Sequence, residues 1–187
     1  MDVIAHALWT TAAGLAARPG LKQRIHLRWA AMWGVLPDIA VFAVPAAVRI
    51  GRFVSGASKS LLPDGTGPRF DWIWGLYNFT HSDVLFAVCF GLVWLWLRRP
   101  VLEMLGWGLH IFIDIFTHQD MFAIRFLWPL SPVHRNGIRW ETPWLLAVNY
   151  AALASVYLWM WAFSRRAGRL SGRLLSRAGR APTMPGR

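Results

Sequence analysis

The twenty residues WLLAVNYAALASVYLWMWAF, from Trp144 to Phe163, hold no charged side chain and follow directly on Pro143. A helix of that length covers a hydrocarbon core about 30 Å thick. Four further apolar stretches lie upstream: Val3 to Ala17, Trp29 to Val48, Val84 to Leu97 and Val101 to Phe116. They are shorter or carry polar residues, with His6 in the first, Asp38 beside Pro37 in the second, and Glu103, His110 and Asp114 in the last. Such groups persist in apolar spans when they face a bundle interior, because an ionised side chain in lipid costs several kcal/mol. The expected fold is therefore all-α, a polytopic membrane helix bundle of about five apolar helices.

Composition agrees. Of 187 residues 56% are hydrophobic, 16% are charged and 13 are Trp, too apolar for disorder. A soluble domain of this size would leave much of that surface exposed to water. The net charge of +11 would suggest nucleic acid in a soluble protein, but in a membrane protein the placement of each charge matters more than the sum. If the five stretches cross in alternation, 13 of the 20 Lys and Arg fall on one side and seven on the other. The positive-inside rule then places the N-terminus outside and the C-terminus in the cytoplasm.

Two parts follow: a membrane-embedded domain, residues 1–163, and a basic cytoplasmic tail, residues 164–187, with seven arginines from Arg165 to Arg187. In the tail Ala167, Leu170, Leu174 and Ala178 fall at helical spacing among Arg166, Arg169, Arg173 and Arg177, before Pro182 and Pro185. That pattern fits a basic amphipathic helix on anionic lipid rather than a nucleic-acid binder. Gly51 to Phe70, rich in Gly, Ser and Pro, reads as a loop. The one cysteine, Cys89, excludes an intrachain disulfide and a Cys-rich zinc site, so any metal must be held by His and carboxylates.

The strongest constellation is His110-x3-Asp114-x3-His118. Steps of four residues drift by only about 40° around a helix while climbing about 6 Å each, so the three share a face but spread along it. That spread suits two ions, with Asp114 between them and a His reaching toward each, better than three ligands on one ion. Other candidates are Asp38, which follows a helix-breaking proline, His81 and Asp83 in Thr80-His81-Ser82-Asp83, and His6. In the alternating topology His6, His81, Asp83, Asp114 and His118 lie toward the outer face, with Asp38 deeper. Capping explains the hydroxyls before the third stretch, but not His81.

These residues carry a resemblance. A histidine near the N-terminus, Gly-x-x-Pro-Asp, Thr-His-Ser, His-x3-Asp-x2-Thr and Leu-Trp-Pro stand in that order as His6, Gly34 to Asp38, Thr80 to Ser82, His110 to Thr117, and Leu127 to Pro129. Over about residues 1–130 the chain resembles the YdjM-like family, described as inner-membrane-associated metal-dependent hydrolases. It departs from the family pattern at Ala40, where a second Asp is frequent, and at Leu76-Tyr77, where His-Arg is frequent. The resemblance leaves open whether one ion is held or two.

The combined expectation is a hydrolase with one or two divalent ions, zinc first among them, held by His6, Asp38, His81, His110, Asp114 and His118. Asp83 and Asp114 are the catalytic carboxylates, Asp83 taking up a proton. By analogy with helical zinc phospholipases the substrate would be a phosphoester or lipid-like molecule at the outer membrane–water interface. The competing expectation is a non-catalytic bundle, structural, ion-conducting or partner-binding, whose His and Asp hydrogen-bond one another and leave no room for a substrate.

Overall fold

The computed structural model describes residues 1–59 and 70–178, with the side chains of the last helix as far as Arg165. The described residues form six α-helices: α1 (Val3–Ala17), α2 (Leu27–Val54), α3 (Trp72–Thr80), α4 (Asp83–Leu97), α5 (Leu105–Thr117) and α6 (Pro143–Ala178). No strand occurs among them. The chain divides into two compact units, Met1–Ala147 and Val148–Arg187.

Local chemistry sets most helix ends. The Asp2 carboxylate accepts from the Ala5 N–H at 2.9 Å and caps α1, while Pro19 follows its last turn. Ser82 caps α4 by accepting from the Leu85 N–H at 3.2 Å. At the other end of α4, Arg98 takes the left-handed conformation, with φ 55°, and Pro100 prevents continuation. Pro37 and Pro45 lie inside α2, where each removes one backbone donor and leaves the carbonyl four residues earlier without its helical partner.

In the first unit α2 is the hub, packing against α1, α3 and α5. Small residues let three helices close. A Cβ placed on Gly34 would meet Thr10 Cβ at 3.0 Å and the His6 carbonyl oxygen at 3.3 Å. One placed on Gly106 would meet Thr10 Cγ2 at 2.7 Å and the Ala30 carbonyl oxygen at 2.5 Å. Close backbone approach at small residues is how helices associate in lipid, where no hydrophobic force draws them together. Beside this contact Val41, Tyr77, Met104, Trp107, Ile111 and Ile124 form the apolar core.

Outward faces are as apolar as inward ones, or more so. Trp29, Met32, Leu36, Ile39 and Val44 of α2 are exposed, α4 buries no residue, and its Trp96 is 82% exposed. Buried inside instead are His6, Asp38, His81, His110 and Asp114. That inversion of the soluble pattern belongs in a membrane.

The number of spans differs from expectation. Among the described residues two helical segments, Leu27–Val54 and Pro143–Arg165, are long and apolar enough to cross a membrane, and a third crossing arises if α3 and α4, bent by 63°, form one broken span. With 15 and 13 residues, α1 and α5 reach only about 20 Å at ~1.5 Å per residue. Their caps and breakers stop them short of a hydrocarbon core. The alternation of five crossings that supported the outside N-terminus is therefore not supplied by the helix lengths. Helix α2 also continues through Val54 into the stretch read as a loop, whose residues 60–69 lie outside the described ones. In the second unit α6 passes residue 163 without a break, and the Arg165 guanidinium lies 4.0 Å over the Trp161 ring, an arrangement suited to a membrane–water boundary. Pro182 and Pro185 lie outside the described residues.

Candidate metal centre

Four of the six metal-ligand candidates converge. One ligand atom from each of Asp38, His81, His110 and Asp114 lies within 4.8 Å of all the others, and all four residues are buried. Asp38 comes from the proline-interrupted middle of α2, His81 from the corner between α3 and α4, and His110 and Asp114 from one face of α5, four residues apart.

Backbone acceptors fix both imidazoles. His110 Nδ1 lies 2.8 Å from the Gly34 carbonyl oxygen, and His81 Nδ1 lies 3.1 Å from the Tyr77 carbonyl oxygen. A carbonyl only accepts, and the Thr80 hydroxyl, 3.0 Å from His81 Nδ1, gives its own proton to the Leu76 carbonyl at 3.0 Å, so the hydrogen-bond network assigns the N–H to Nδ1 in each ring and leaves each Nε2 with a lone pair. Those two Nε2 atoms are 3.1 Å apart. Asp114 Oδ2 stands 3.2 Å from His110 Nε2 and 3.8 Å from His81 Nε2. Asp38 Oδ1 stands 3.8 Å and 3.7 Å from the same two nitrogens. Acceptors therefore face acceptors in a buried space, which is unfavourable unless a cation or an added proton lies between them. Ligand atoms around a tetrahedral zinc, at about 2.0–2.2 Å from it, are separated by roughly 3.3–3.6 Å, and the observed spacings bracket that value. A buried Asp/His group able to hold a metal ion is thus present.

The shell outside the ligands is ordered. Trp107 Nε1 donates to the Thr80 carbonyl at 2.6 Å and ties the His81 corner to α5. Ser82 Oγ donates to the Trp128 carbonyl at 2.5 Å, and the Asp83 N–H donates to the Phe126 carbonyl at 2.9 Å. The Leu127-Trp128-Pro129 motif thereby braces the start of α4. Its sequence signal was visible, but its partner was not.

The other candidates fall differently. His6 stacks on His110 with ring centroids 3.8 Å apart, and its Nε2 lies 3.0 Å from Asp114 Oδ1. His118 does not continue α5 as its spacing implied: the helix ends at Thr117 and His118 is extended. The break is held by Gly137, Ile138 and Trp140, whose N–H groups donate to the carbonyls of His118, Phe116 and Thr117 at 2.7, 2.9 and 3.1 Å. Even so, His118 Nδ1 remains 3.3 Å from Asp114 Oδ1. Asp83 is not brought into the group of four; it opens α4, where a carboxylate favours the helix N-terminus.

A cavity of about 890 Å³ reaches Asp38 and His118. Phe42, Met121, Phe122 and Trp140 give it an apolar wall, and Arg139, paired with Glu141, stands at the same cavity. Thr10, Gly34 and Gly106, which set the helix spacing under the site, carry no sequence signal for packing beyond the place of Gly34 in Gly-x-x-Pro-Asp.

No curated protein and no solved structure matches the chain. The family model of the YdjM inner membrane protein matches residues 1–176, and the chain belongs to that family.

Proposed function

We propose that this protein is a membrane-embedded metal-dependent hydrolase that acts on an amphiphilic phosphoester, with zinc held by Asp38, His81, His110 and Asp114. The carrying observation is the pair of lone-pair-bearing Nε2 atoms 3.1 Å apart, flanked by two carboxylates. Their carboxylates would balance the charge of a divalent ion, which suits a dry interior. Bound there, a divalent ion supplies positive charge that acidifies water and polarises a scissile bond.

The chain supplies the rest. The cavity offers apolar contact for an alkyl portion through Phe42, Met121 and Phe122, and a guanidinium for an anionic portion through Arg139. Asp120 and Glu141 put carboxylates on that cavity, where a released proton would go, whereas Asp83, proposed from the sequence for this role, is not on its lining. The non-catalytic alternative required His and Asp satisfied by one another with no room for a ligand; two imidazole nitrogens turned toward each other and the cavity beside Asp38 favour catalysis.

The outward orientation of the site and the C-terminus in the cytoplasm belong to the same proposal, supported by the arginines of α6 beyond Arg165 and their suitability for an anionic leaflet. The test uses the full chain purified in detergent and loaded with zinc, given a chromogenic phosphodiester, a phosphomonoester and a short-chain phospholipid. Cleavage of at least one, lost on chelation and in His110→Ala, is expected. Equal rates for the parent and His110→Ala on all three would overturn the hydrolase reading.

A further inference from the structure

We propose that a second divalent cation binds on the Oδ1 side of Asp114, held by His6 and His118, so that one carboxylate bridges two ions. The inference rests on the metal-centre reading above. The two oxygens of Asp114 face different partners: Oδ2 faces His110 and His81, while Oδ1 faces His6 Nε2 at 3.0 Å and His118 Nδ1 at 3.3 Å. Thr117 Oγ1 also donates to Oδ1 at 3.1 Å, and the Met1 nitrogen contacts both Oδ1 and Thr117 Oγ1.

His6 is the second, independent observation. It is fully buried; Nδ1 has no partner, and Nε2 has only the contact with Asp114 Oδ1 at 3.0 Å. An imidazole nitrogen left unsatisfied in the interior is costly. Stacking on His110 holds the ring in place, and Thr10 Oγ1 donates to the His6 carbonyl at 2.7 Å and pins its backbone. The ring is thereby fixed with its Nε2 beside a carboxylate oxygen, a position from which it can ligate an ion on Oδ1. The 3.3 Å spacing to His118 falls in the range for ligand atoms that share one ion at about 2.0–2.2 Å, and the 3.0 Å spacing to His6 is slightly shorter.

His118 explains why the second position is reachable. Helix α5 stops one residue before it, the Gly137 N–H holds its carbonyl, and its side chain is part of the cavity lining. A Cβ on Gly137 would run into the Phe116 backbone, so this pairing needs glycine. The ion would take the place on Oδ1 now held by the Met1 nitrogen. Since Asp38 and Asp114 already balance the first ion, the second leaves net positive charge beside the cavity. It is therefore the weaker of the two, and it suits an anionic ester.

The experiment titrates the full chain in detergent with zinc, read by elemental analysis after equilibrium dialysis, and with manganese, read by electron paramagnetic resonance. Two equivalents are expected, in a tighter and a weaker step, with an exchange-coupled manganese signal at saturation. His118→Ala should weaken only the second step, by tenfold or more, and leave an isolated-ion signal. His81→Ala should weaken the tighter step. One equivalent in the parent, unchanged by His118→Ala, would overturn the second site and leave the four-ligand centre standing. No binding by the parent would remove both.

Discussion

The two helices long enough to cross a membrane alone, α2 and α6, differ in what their apolar sequence is for. Their best windows have mean hydropathies of 1.7 and 1.4, so the more apolar helix is the one that carries a ligand candidate. Helix α2 holds two prolines, and in it Gly34 packs against Thr10 and Asp38, beside Pro37, belongs to the metal centre. The Trp144 to Phe163 stretch of α6 has neither proline, glycine nor charge. Hydropathy finds a span; the interruptions in it find the site.

Substitutions that treat the two helices alike should have opposite consequences. The largest effect is expected at Gly34→Val, because its side chain would enter the space held by Thr10 and the His6 carbonyl. Overpacking of this kind costs roughly 1–3 kcal/mol or more and would also separate α1 from α2. Ala151→Val on the exposed face of α6 adds similar bulk and should change stability by less than about 0.5 kcal/mol. Thermal unfolding in detergent, followed by circular dichroism, compares them.

Next in size is Asp38→Asn, which keeps the shape of α2 and removes one of two carboxylates from the centre. Zinc affinity, measured by competition with a chromophoric chelator, should fall by about tenfold to a hundredfold or more while the unfolding temperature of the metal-free protein changes little. A smaller effect is expected for Trp107→Phe, which deletes the donor to the Thr80 carbonyl and loosens the His81 corner. A loss of about 1 kcal/mol in stability and a modest loss of zinc affinity follow from one missing buried hydrogen bond. Smallest of all, Leu158→Ala on α6, 64% exposed, should leave zinc affinity unchanged. A change there would mean that α6 is more than an anchor.

The sequence showed the all-α class because long apolar stretches with scattered caps permit little else. It also showed the chemistry of the site, because His and Asp inside apolar stretches are expensive and each needs a reason. What it could not show was where helices end. His118 sits at perfect helical spacing from Asp114, yet α5 stops at Thr117, since backbone pairing with residues 137–140, far along the chain, competes with the next helical turn. The same limit inflated the span count: Val3 to Ala17 and Val101 to Phe116 are apolar enough to attract attention and too short to cross. Helix α3 does not stand out in the sequence because its nine residues, with Gly75 among them, are far too short to read as a span. Nor does spacing along the chain reveal that His81 and His110, 29 residues apart, turn the same nitrogen toward each other.

That last contact is the centre of the account, and zinc K-edge X-ray absorption on the zinc-loaded full chain tests it most directly. The account requires a first shell of nitrogen and oxygen at about 2.0–2.1 Å with the outer-shell scattering of at least two imidazoles. In the His81→Ala, His110→Ala double variant the imidazole scattering should fall by at least two rings. A spectrum without imidazole scattering, or one that is the same in the double variant, would contradict the assignment of His81 and His110 as ligands of one ion.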